Sequence, residues 1–266
     1  MYCSLRFFVD KTPDLTKAQN ILDIFELFEH TLRVSYDYIL YTVFDPDKDD
    51  PLIDKKYFYN TYWKEIFLTD DILKMFIGKS GDFSAPIITA TCAGKSTQIY
   101  SKIRVQIQFP VYTQPFVICV DYEQQYTDEF TFRKYNFLIQ SLTAMGFHIN
   151  NCFYHIYPKK NEAATLDRGQ VGHFLNCYEQ RNLKKSVLHH SNGCLNRFMD
   201  IYYFNSVRLS MLTPEIISKI ADIVGTNNLI ITDDILSFAL GNAGKESLNY
   251  RITHHYELRK LEKLLL

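Results

Sequence analysis

The chain has 266 residues, of which 47% are hydrophobic and 22% are charged, and its formal net charge at pH 7 is −1. This balance is typical of a folded protein with a sizeable core. It provides no overall basic field that would attract nucleic acid or an anionic membrane. No run of about 18 apolar residues occurs, and the first residues lack the pattern of a secretory signal. We therefore expect neither a membrane-spanning helix nor export.

The six cysteines are widely spaced along the chain, and three of them lie in apolar, strand-like runs: Cys3, Cys119 and Cys152. A buried free thiol behaves as a small hydrophobic side chain. The spacing does not resemble the framework of a small disulfide-stabilised domain. The cysteines therefore predict a reducing compartment, and we expect the protein to be cytoplasmic.

The first elements are predicted to form a strand, a helix and a second strand. The segments SLRFFVD and YDYILYTVF are rich in aromatic and β-branched residues, as strands are. Between them, Thr12 is a candidate N-cap and Pro13 fits the first helical position. Residues 45–83 are predicted to be an insertion with an acidic start, an aromatic segment, and a short helix that Thr69 caps and Gly78 ends.

Three strands are predicted after the insertion: APIITATC, SKIRVQIQF and FVICVDY. A helix with Thr127 as its cap and Gly146 at its end follows, and then the strand NNCFYHIY. The order βαβ, insertion, βββαβ predicts a ferredoxin-like α/β sandwich of the α+β class over residues 1–158.

Residues 159–266 are predicted to form a mixed, mainly helical C-terminal part. Thr213 and Pro214 begin one helix, which Gly225 ends. The segment NLIIT is a short strand, and Thr232 is predicted to cap a further short helix.

The tripeptide Gly94-Lys95-Ser96 has the form in which a phosphate-binding loop ends. That loop needs a glycine five residues before the second glycine and a helix after it. The first glycine position holds Thr89, and Ile103, Val105 and Ile107 then alternate with polar residues. This alternation is typical of a half-buried strand. We therefore predict a turn between two strands and no site for a nucleoside triphosphate.

Two groups of residues could bind metal. The acidic cluster from Asp45 lacks the glycine and glutamate that a calcium loop needs, since Asp50 and Lys56 occupy those positions. Two His-x-x-x-Cys pairs supply two histidines and two cysteines, a ligand set of structural zinc; they are His173, Cys177, His190 and Cys194. In a chain with eight histidines and six cysteines such pairs also arise by coincidence. Coincidence is our preferred interpretation, and we predict no cofactor.

The sequence favours a binding protein over an enzyme, because it shows no paired carboxylates, nucleophile elbow or glycine-rich cofactor loop. We predict a cytoplasmic protein that binds another protein, as an inhibitor or immunity (antitoxin-like) factor against a basic toxin. The predicted contact residues are acidic or aromatic: Asp45, Asp47, Asp49, Asp50, Tyr57, Tyr59, Tyr62 and Trp63. Tyrosine and tryptophan commonly anchor interfaces, and carboxylates steer basic partners.

The alternative function is an enzyme that acts on a nucleotide or nucleic acid through the C-terminal part. Residues 159–266 carry a net charge of +3, whereas residues 1–158 carry −4. The candidate residues for this alternative are Arg168, His173, His189 and His190. Because the charge difference is small, nucleic acid is not the expected partner.

Overall fold

The computed structural model describes residues 2–36, 38–43, 59–62, 68–78, 86–92, 103–109, 116–123, 130–157, 200–205, 209–210 and 212–240. In chain order the elements are β1 (Tyr2–Lys11), α1 (Ala18–Leu32), β2 (Tyr38–Val43), β3 (Tyr59–Tyr62), α2 (Asp70–Gly78), β4 (Pro86–Cys92), β5 (Ile103–Gln108), β6 (Phe116–Glu123), α3 (Phe132–Ala144), β7 (His148–Tyr157), β8 (Ile201–Asn205), α4 (Pro214–Val224), β9 (Leu229–Ile231) and β10 (Ile235–Ala239). None of the helices in this part of the chain combines the length and apolar character needed to span a membrane.

Hydrogen bonding orders the strands as β3-β2-β4-β5-β6-β1-β7-β8-β10-β9. The pairs β2–β3, β2–β4, β4–β5, β5–β6, β7–β8, β8–β10 and β9–β10 are antiparallel. The chain forms two compact units. Unit 1 comprises Met1–Phe7, Glu129–Phe137 and Ile149–Leu266, and unit 2 comprises Phe8–Asp128 and Leu138–His148. The boundary near residue 158 stays a prediction.

The predicted ferredoxin-like sandwich with a mainly helical C-terminal part is wrong, because three strands and one α-helix lie in the described residues after 200, and the three strands extend an antiparallel sheet. Strands β8, β10 and β9 continue the antiparallel ladder from β7. Thr232 begins no helix. Its N–H donates to the Ile235 carbonyl at 2.9 Å, and its Oγ1 accepts the Ile235 N–H at 3.1 Å. These bonds close a two-residue turn at Asp233 and Asp234, so the chain reverses into β10.

The start of α1 also differs from the prediction, because a distant carboxylate caps it. The helix begins at Ala18, and Lys17 at the N-cap provides no side-chain cap. Asp70 Oδ1, in the first turn of α2, accepts the Ala18 N–H at 2.9 Å, and Oδ2 accepts Lys17 Nζ at 3.0 Å. Thr12 therefore precedes an irregular turn. An N-cap supplied from 52 residues away leaves no local signal in the sequence.

The ends of α2 and α4 follow the predicted cap chemistry. Thr69 Oγ1 accepts the Ile72 N–H at 3.3 Å, and Thr213 Oγ1 accepts the Ile216 N–H at 3.3 Å. Gly225 lies at the C-cap of α4, as predicted. These predictions are confirmed because N-cap and C-cap preferences depend on residues within one turn of the helix end.

Helix α3 ends as predicted and begins later than predicted. The N–H of Phe147 donates to Leu142 and that of Gly146 to Thr143, both at 3.0 Å. With Gly146 at φ +90°, this is the Schellman motif. At the start, Thr131 Oγ1 accepts the Lys134 N–H at 3.2 Å, so Thr131 serves as the cap. Thr127 lies outside the described residues.

The core of unit 2 contains an apolar row that crosses four of its strands. One register row runs through Ile39, Ala90, Val105 and Val120 across β2, β4, β5 and β6. The side chains of Ile39, Val105 and Val120 are fully buried. In β5 these apolar positions alternate with the only partly exposed Arg104 and Gln106, as the sequence predicts for a half-buried strand.

The core of unit 1 is aromatic and covers both faces of its strands, since every residue of β8 is buried. Tyr202 stacks on Phe204 with ring centroids 5.5 Å apart and contacts Phe238 at 5.3 Å. Tyr135 donates its hydroxyl to the Cys152 carbonyl at 2.6 Å. Cys3, Cys119 and Cys152 are buried and outside any disulfide, as predicted. Burial raises the pKa of the Cys152 thiol well above its ordinary value, which keeps the thiol uncharged.

Substituting Gly225 with alanine is expected to lower the free energy of unfolding by about 1–3 kcal/mol. Gly225 has φ 76° and ψ 155°, a region essentially restricted to glycine. An added Cβ would meet no atom within 4 Å, so the cost comes from the backbone and not from a clash. Urea unfolding measures it. The exposed neighbour Thr226→Ala serves as the control, and an equal effect of the two substitutions would contradict the prediction.

Asp70→Asn is expected to lower the melting temperature at pH 7, and the difference from wild type should shrink below about pH 4. Hydrogen bonds from the Ala18 amide and from Lys17 lower the pKa of the Asp70 carboxyl. A lowered folded-state pKa contributes stability above the unfolded value, and this contribution disappears as pH falls through the folded value. Thermal melts from pH 7 to 2 measure it. Asp71→Asn is the control, and equal pH profiles for both variants would refute the prediction.

Candidate protein interface

Two strands of unit 2 place four tyrosines opposite each other. Tyr38 in β2 is the register partner of Tyr62 in β3, and Tyr41 is the partner of Tyr59. Strand β3 comes first in the strand order, and among the described strands it pairs with β2 alone. The pairing therefore places two tyrosine pairs at an edge of the sheet. Two of the predicted contact residues, Tyr59 and Tyr62, belong to this edge.

The remaining predicted contact residues lie outside the described residues: Asp45, Asp47, Asp49, Asp50, Tyr57 and Trp63. Their positions along the chain are still informative. Residues 44–58 join the end of β2 to the start of β3, and Trp63 directly follows β3. The acidic segment is therefore attached at both ends to the tyrosine pairs. Whether these residues form one contact surface stays a prediction.

The same register extends one row across five strands of unit 2. Tyr62 lies opposite Tyr38, which lies opposite Thr91; Thr91 lies opposite Arg104, which lies opposite Asp121. Residues directly opposite in a ladder share one face of a sheet. These five positions therefore share one face of the ladder, whereas Tyr41 and Tyr59 lie on the other face, together with Ile39 of the apolar row.

An ion pair joins two residues of this row. Arg104 Nη2 donates to Asp121 Oδ2 at 2.8 Å, and the side chains are 18% and 5% exposed. Arginine matches a carboxylate better than lysine does, because its planar guanidinium presents several donors in fixed directions. The pair neutralises both charges within the row. The polar face consequently offers hydrogen-bonding groups without a strong net field of its own.

Two of the three histidines among the described residues lie beside carboxylates, in pairings that sequence patterns did not predict. In unit 1, His155 Nδ1 lies 2.9 Å from Asp200 Oδ2, and both side chains are almost completely buried. In unit 2, His148 Nδ1 pairs with Asp10. The partners are 45 and 138 residues apart, so no local motif could reveal them. His155 points away from Cys152, three positions earlier on β7, which agrees with the absence of a local Cys/His nucleophile pair.

The residues of the zinc hypothesis and of the alternative enzyme hypothesis lie outside the described part of the chain. His173, Cys177, His190 and Cys194 are among these residues, as are the alternative enzyme candidates Arg168 and His189. Within the described residues, no group of three or more histidine, cysteine, aspartate and glutamate residues is arranged to hold a metal ion.

The strands around Gly94-Lys95-Ser96 agree with the sequence prediction, although the tripeptide itself lies outside the described residues. Strand β4 pairs antiparallel with β5, and Cys92 lies opposite Ile103. The next described element is therefore strand β5, which begins at Ile103, as the alternation predicts.

Comparison with known proteins supports the fold. The T6SS protein PA0821 of Pseudomonas aeruginosa has a similar structure, with a TM-score of 0.52 and 11% sequence identity. The similarity covers 98% of this chain and 72% of PA0821. The sequence matches no protein-family model and no curated protein. At this identity the likeness concerns the fold alone: the chain has an overall architecture similar to that of PA0821.

Proposed function

We propose that the protein binds another protein through the edge formed by β2 and β3 and through the acidic segment that joins these strands. The observation that carries the proposal is the double pairing of Tyr38 with Tyr62 and Tyr41 with Tyr59 at this edge, with one pair on each face of the sheet. Tyrosine supplies a large contact area with few rotatable bonds, and its hydroxyl hydrogen-bonds at the rim. Edge strands also present backbone groups to which a partner can bind.

The chemistry of the segment between the strands indicates the class of partner. Residues 45–54 contain five aspartates and one lysine. Carboxylates next to an aromatic surface accelerate association with a basic protein and make the association sensitive to salt. We therefore propose a basic toxin as the partner, with this protein as its inhibitor or immunity factor. The similarity of fold to a T6SS protein is compatible with such a role.

Site-specific photo-crosslinking tests the proposal. A benzophenone amino acid at position 62 should capture a basic protein in the native host, whereas the same group at exposed Phe137 in unit 1 should not. The captured protein, identified by mass spectrometry, should inhibit growth when expressed alone and become harmless when this chain is co-expressed. Capture at both positions, or toxicity that co-expression leaves unchanged, would refute the proposal.

Substitutions in the acidic and aromatic segment should weaken the complex while the fold is retained. Trp63→Ala is expected to weaken binding about 30-fold, since loss of an interface tryptophan often costs about 2 kcal/mol. Asp47→Asn/Asp49→Asn should mainly reduce the association rate, and the loss should be greatest at low salt. Surface plasmon resonance at several salt concentrations measures both effects.

Asp222→Asn/Asp233→Asn is the matched control, because it removes the same charge from two exposed positions of unit 1. This control should bind like wild type. If it weakens association as much as the Asp47/Asp49 double variant, net charge and not the acidic segment governs binding. If Trp63→Ala and the Asp47/Asp49 variant both bind like wild type, the interface lies elsewhere.

A further inference from the structure

The opposite end of the strand order carries an exposed apolar edge. Strand β9 comes last in the order and has three residues, Leu229–Ile231. Ile230 is 42% exposed and Ile231 is 47% exposed. Together with Phe137, at 48%, they are the large hydrophobic residues with high exposure among the described residues. Because consecutive strand residues point to opposite faces, β9 has an apolar side chain open on each face of the sheet.

The hydrogen bonds of the β9–β10 hairpin determine which backbone groups face outward. The Thr232 N–H donates to Ile235, which makes these residues a hydrogen-bonded pair. Antiparallel ladders alternate hydrogen-bonded and non-hydrogen-bonded pairs. Ile231 and its register partner Leu236 are therefore a non-hydrogen-bonded pair, and the N–H and C=O of Ile231 point away from β10.

The same alternation applies at the start of β9. Ile230 and Ser237 form a hydrogen-bonded pair, so the polar groups of Ile230 are used within the hairpin. Leu229, opposite Phe238, again points outward. Its N–H donates to the Thr226 carbonyl, which leaves the Leu229 carbonyl directed to the outside. The open edge thus presents a carbonyl at Leu229 and an N–H at Ile231.

We propose that β9 pairs antiparallel with β9 of a second copy of this chain, about a two-fold axis through Ile230. In this register Leu229 lies opposite Ile231 of the second copy. The two outward N–H groups of the Ile231 residues then donate to the two outward Leu229 carbonyls. An isologous contact of this kind uses the same surface on both subunits and closes after two copies. The pairing also covers the exposed isoleucines on both faces of the sheet.

Natural edge strands that remain single are usually very short or carry lysine, proline or inward-pointing charge as protection. Strand β9, with the sequence LII, is short at three residues but carries no charge and no proline.

A proline substitution tests the hydrogen bonds. Ile231→Pro removes an N–H that faces away from β10, so the hairpin should survive, as edge strands tolerate proline there. Sedimentation equilibrium of the full chain should give a dimer for wild type and a dissociation constant at least about tenfold higher for Ile231→Pro. Ile231→Ala is the matched control, because it loses the side chain but keeps the N–H. It should weaken the dimer less.

Cysteine trapping tests the register. Directly opposite residues in a ladder have Cα atoms about 4.5–5.5 Å apart, within the range of a disulfide. Ile230→Cys should therefore form a disulfide-linked dimer under mild oxidation. Ile231→Cys should not, because it faces Leu229 of the second copy, and wild type controls for the native cysteines.

Three results would overturn the pairing: a monomer at all concentrations, equal dissociation constants for Ile231→Pro and Ile231→Ala, or equal crosslinking at both positions. The Ile230→Cys variant keeps the Ile231 N–H. Its crosslinking therefore tests the β9–β9 pairing even if Ile231→Pro fails to fold. The pairing is independent of the β2–β3 interface, so either proposal can fail alone.

Discussion

Replacing Asp200 with alanine is expected to lower the free energy of unfolding by about 3–5 kcal/mol. The Asp200 side chain is fully buried in unit 1. Its Oδ2 accepts the Ile156 N–H at 2.8 Å and lies 2.9 Å from His155 Nδ1. Alanine would remove the acceptor of the Ile156 N–H and the carboxylate next to the His155 ring, in a place that water does not reach. A buried donor that loses its acceptor costs about 1–3 kcal/mol, and loss of the carboxylate beside a buried imidazole adds to that cost.

The backbone hydrogen bonds of Asp200 do not depend on its side chain. Its N–H donates to the Tyr154 carbonyl at 2.9 Å, and its carbonyl accepts the Leu240 N–H at 2.8 Å. Alanine retains both bonds, so the backbone bonds to Tyr154 and Leu240 at this point should persist. The measured loss should therefore report on the carboxylate.

Urea unfolding of four proteins measures the Asp200 effect: wild type, Asp200→Ala, His155→Ala and the double variant. Because the two side chains belong to one buried network, the losses of unfolding free energy should not add. The double variant should lose less than the sum of the losses in the two single variants. Asp200→Asn is the control, since its amide oxygen can still accept the Ile156 N–H. A loss below about 1 kcal/mol for Asp200→Ala would show that the carboxylate is not a structural acceptor.

The parts of the fold that sequence patterns predict correctly are those governed by local chemistry. The caps of α2 and α4 depend on Thr69 and Thr213, each bonded to an N–H three residues later. The end of α3 depends on the positive φ of Gly146. The alternation in β5 reflects one buried and one half-exposed face. In each case the physical cause lies within a few residues of the element.

The errors arise where distant residues decide the structure. Strands β8 and β10 are buried on both faces, so they lack the alternation by which a half-buried strand is identified. The start of α1 depends on Asp70, from another helix. These long-range influences explain why the C-terminal part was predicted to be mainly helical and why the fold class was wrong.

The candidate interface also has features that the local sequence predicts and features that depend on distant residues. Sequence composition identifies an acidic and aromatic segment, and it predicts Tyr59 and Tyr62 as contact residues. It does not specify that these tyrosines pair with Tyr41 and Tyr38, because strand register depends on tertiary structure. The polar row that reaches Asp121 likewise exists only in the folded register.

Removing one member of the Arg104–Asp121 pair is expected to cost about 2–3 kcal/mol, whereas replacing both should cost much less. The two residues are register partners on β5 and β6, and their side chains meet at 2.8 Å. Asp121 is 5% exposed, so Arg104→Met would leave a carboxylate in a place that water reaches poorly. When both charges are removed together, no unpaired charge remains buried. The double variant Arg104→Met/Asp121→Leu should therefore recover most of the unfolding free energy that a single substitution loses.

A double-mutant cycle followed by urea unfolding at low and high salt measures the coupling between Arg104 and Asp121. The coupling should change little with salt, because ions screen a buried pair weakly. Lys219 and Glu215 on α4 provide a matched control, since this ion pair is largely exposed. Its coupling should be smaller and should fade as salt is added. If the Arg104–Asp121 coupling fades with salt in the same way, water screens the pair in solution, and the polar row is more open than its burial indicates.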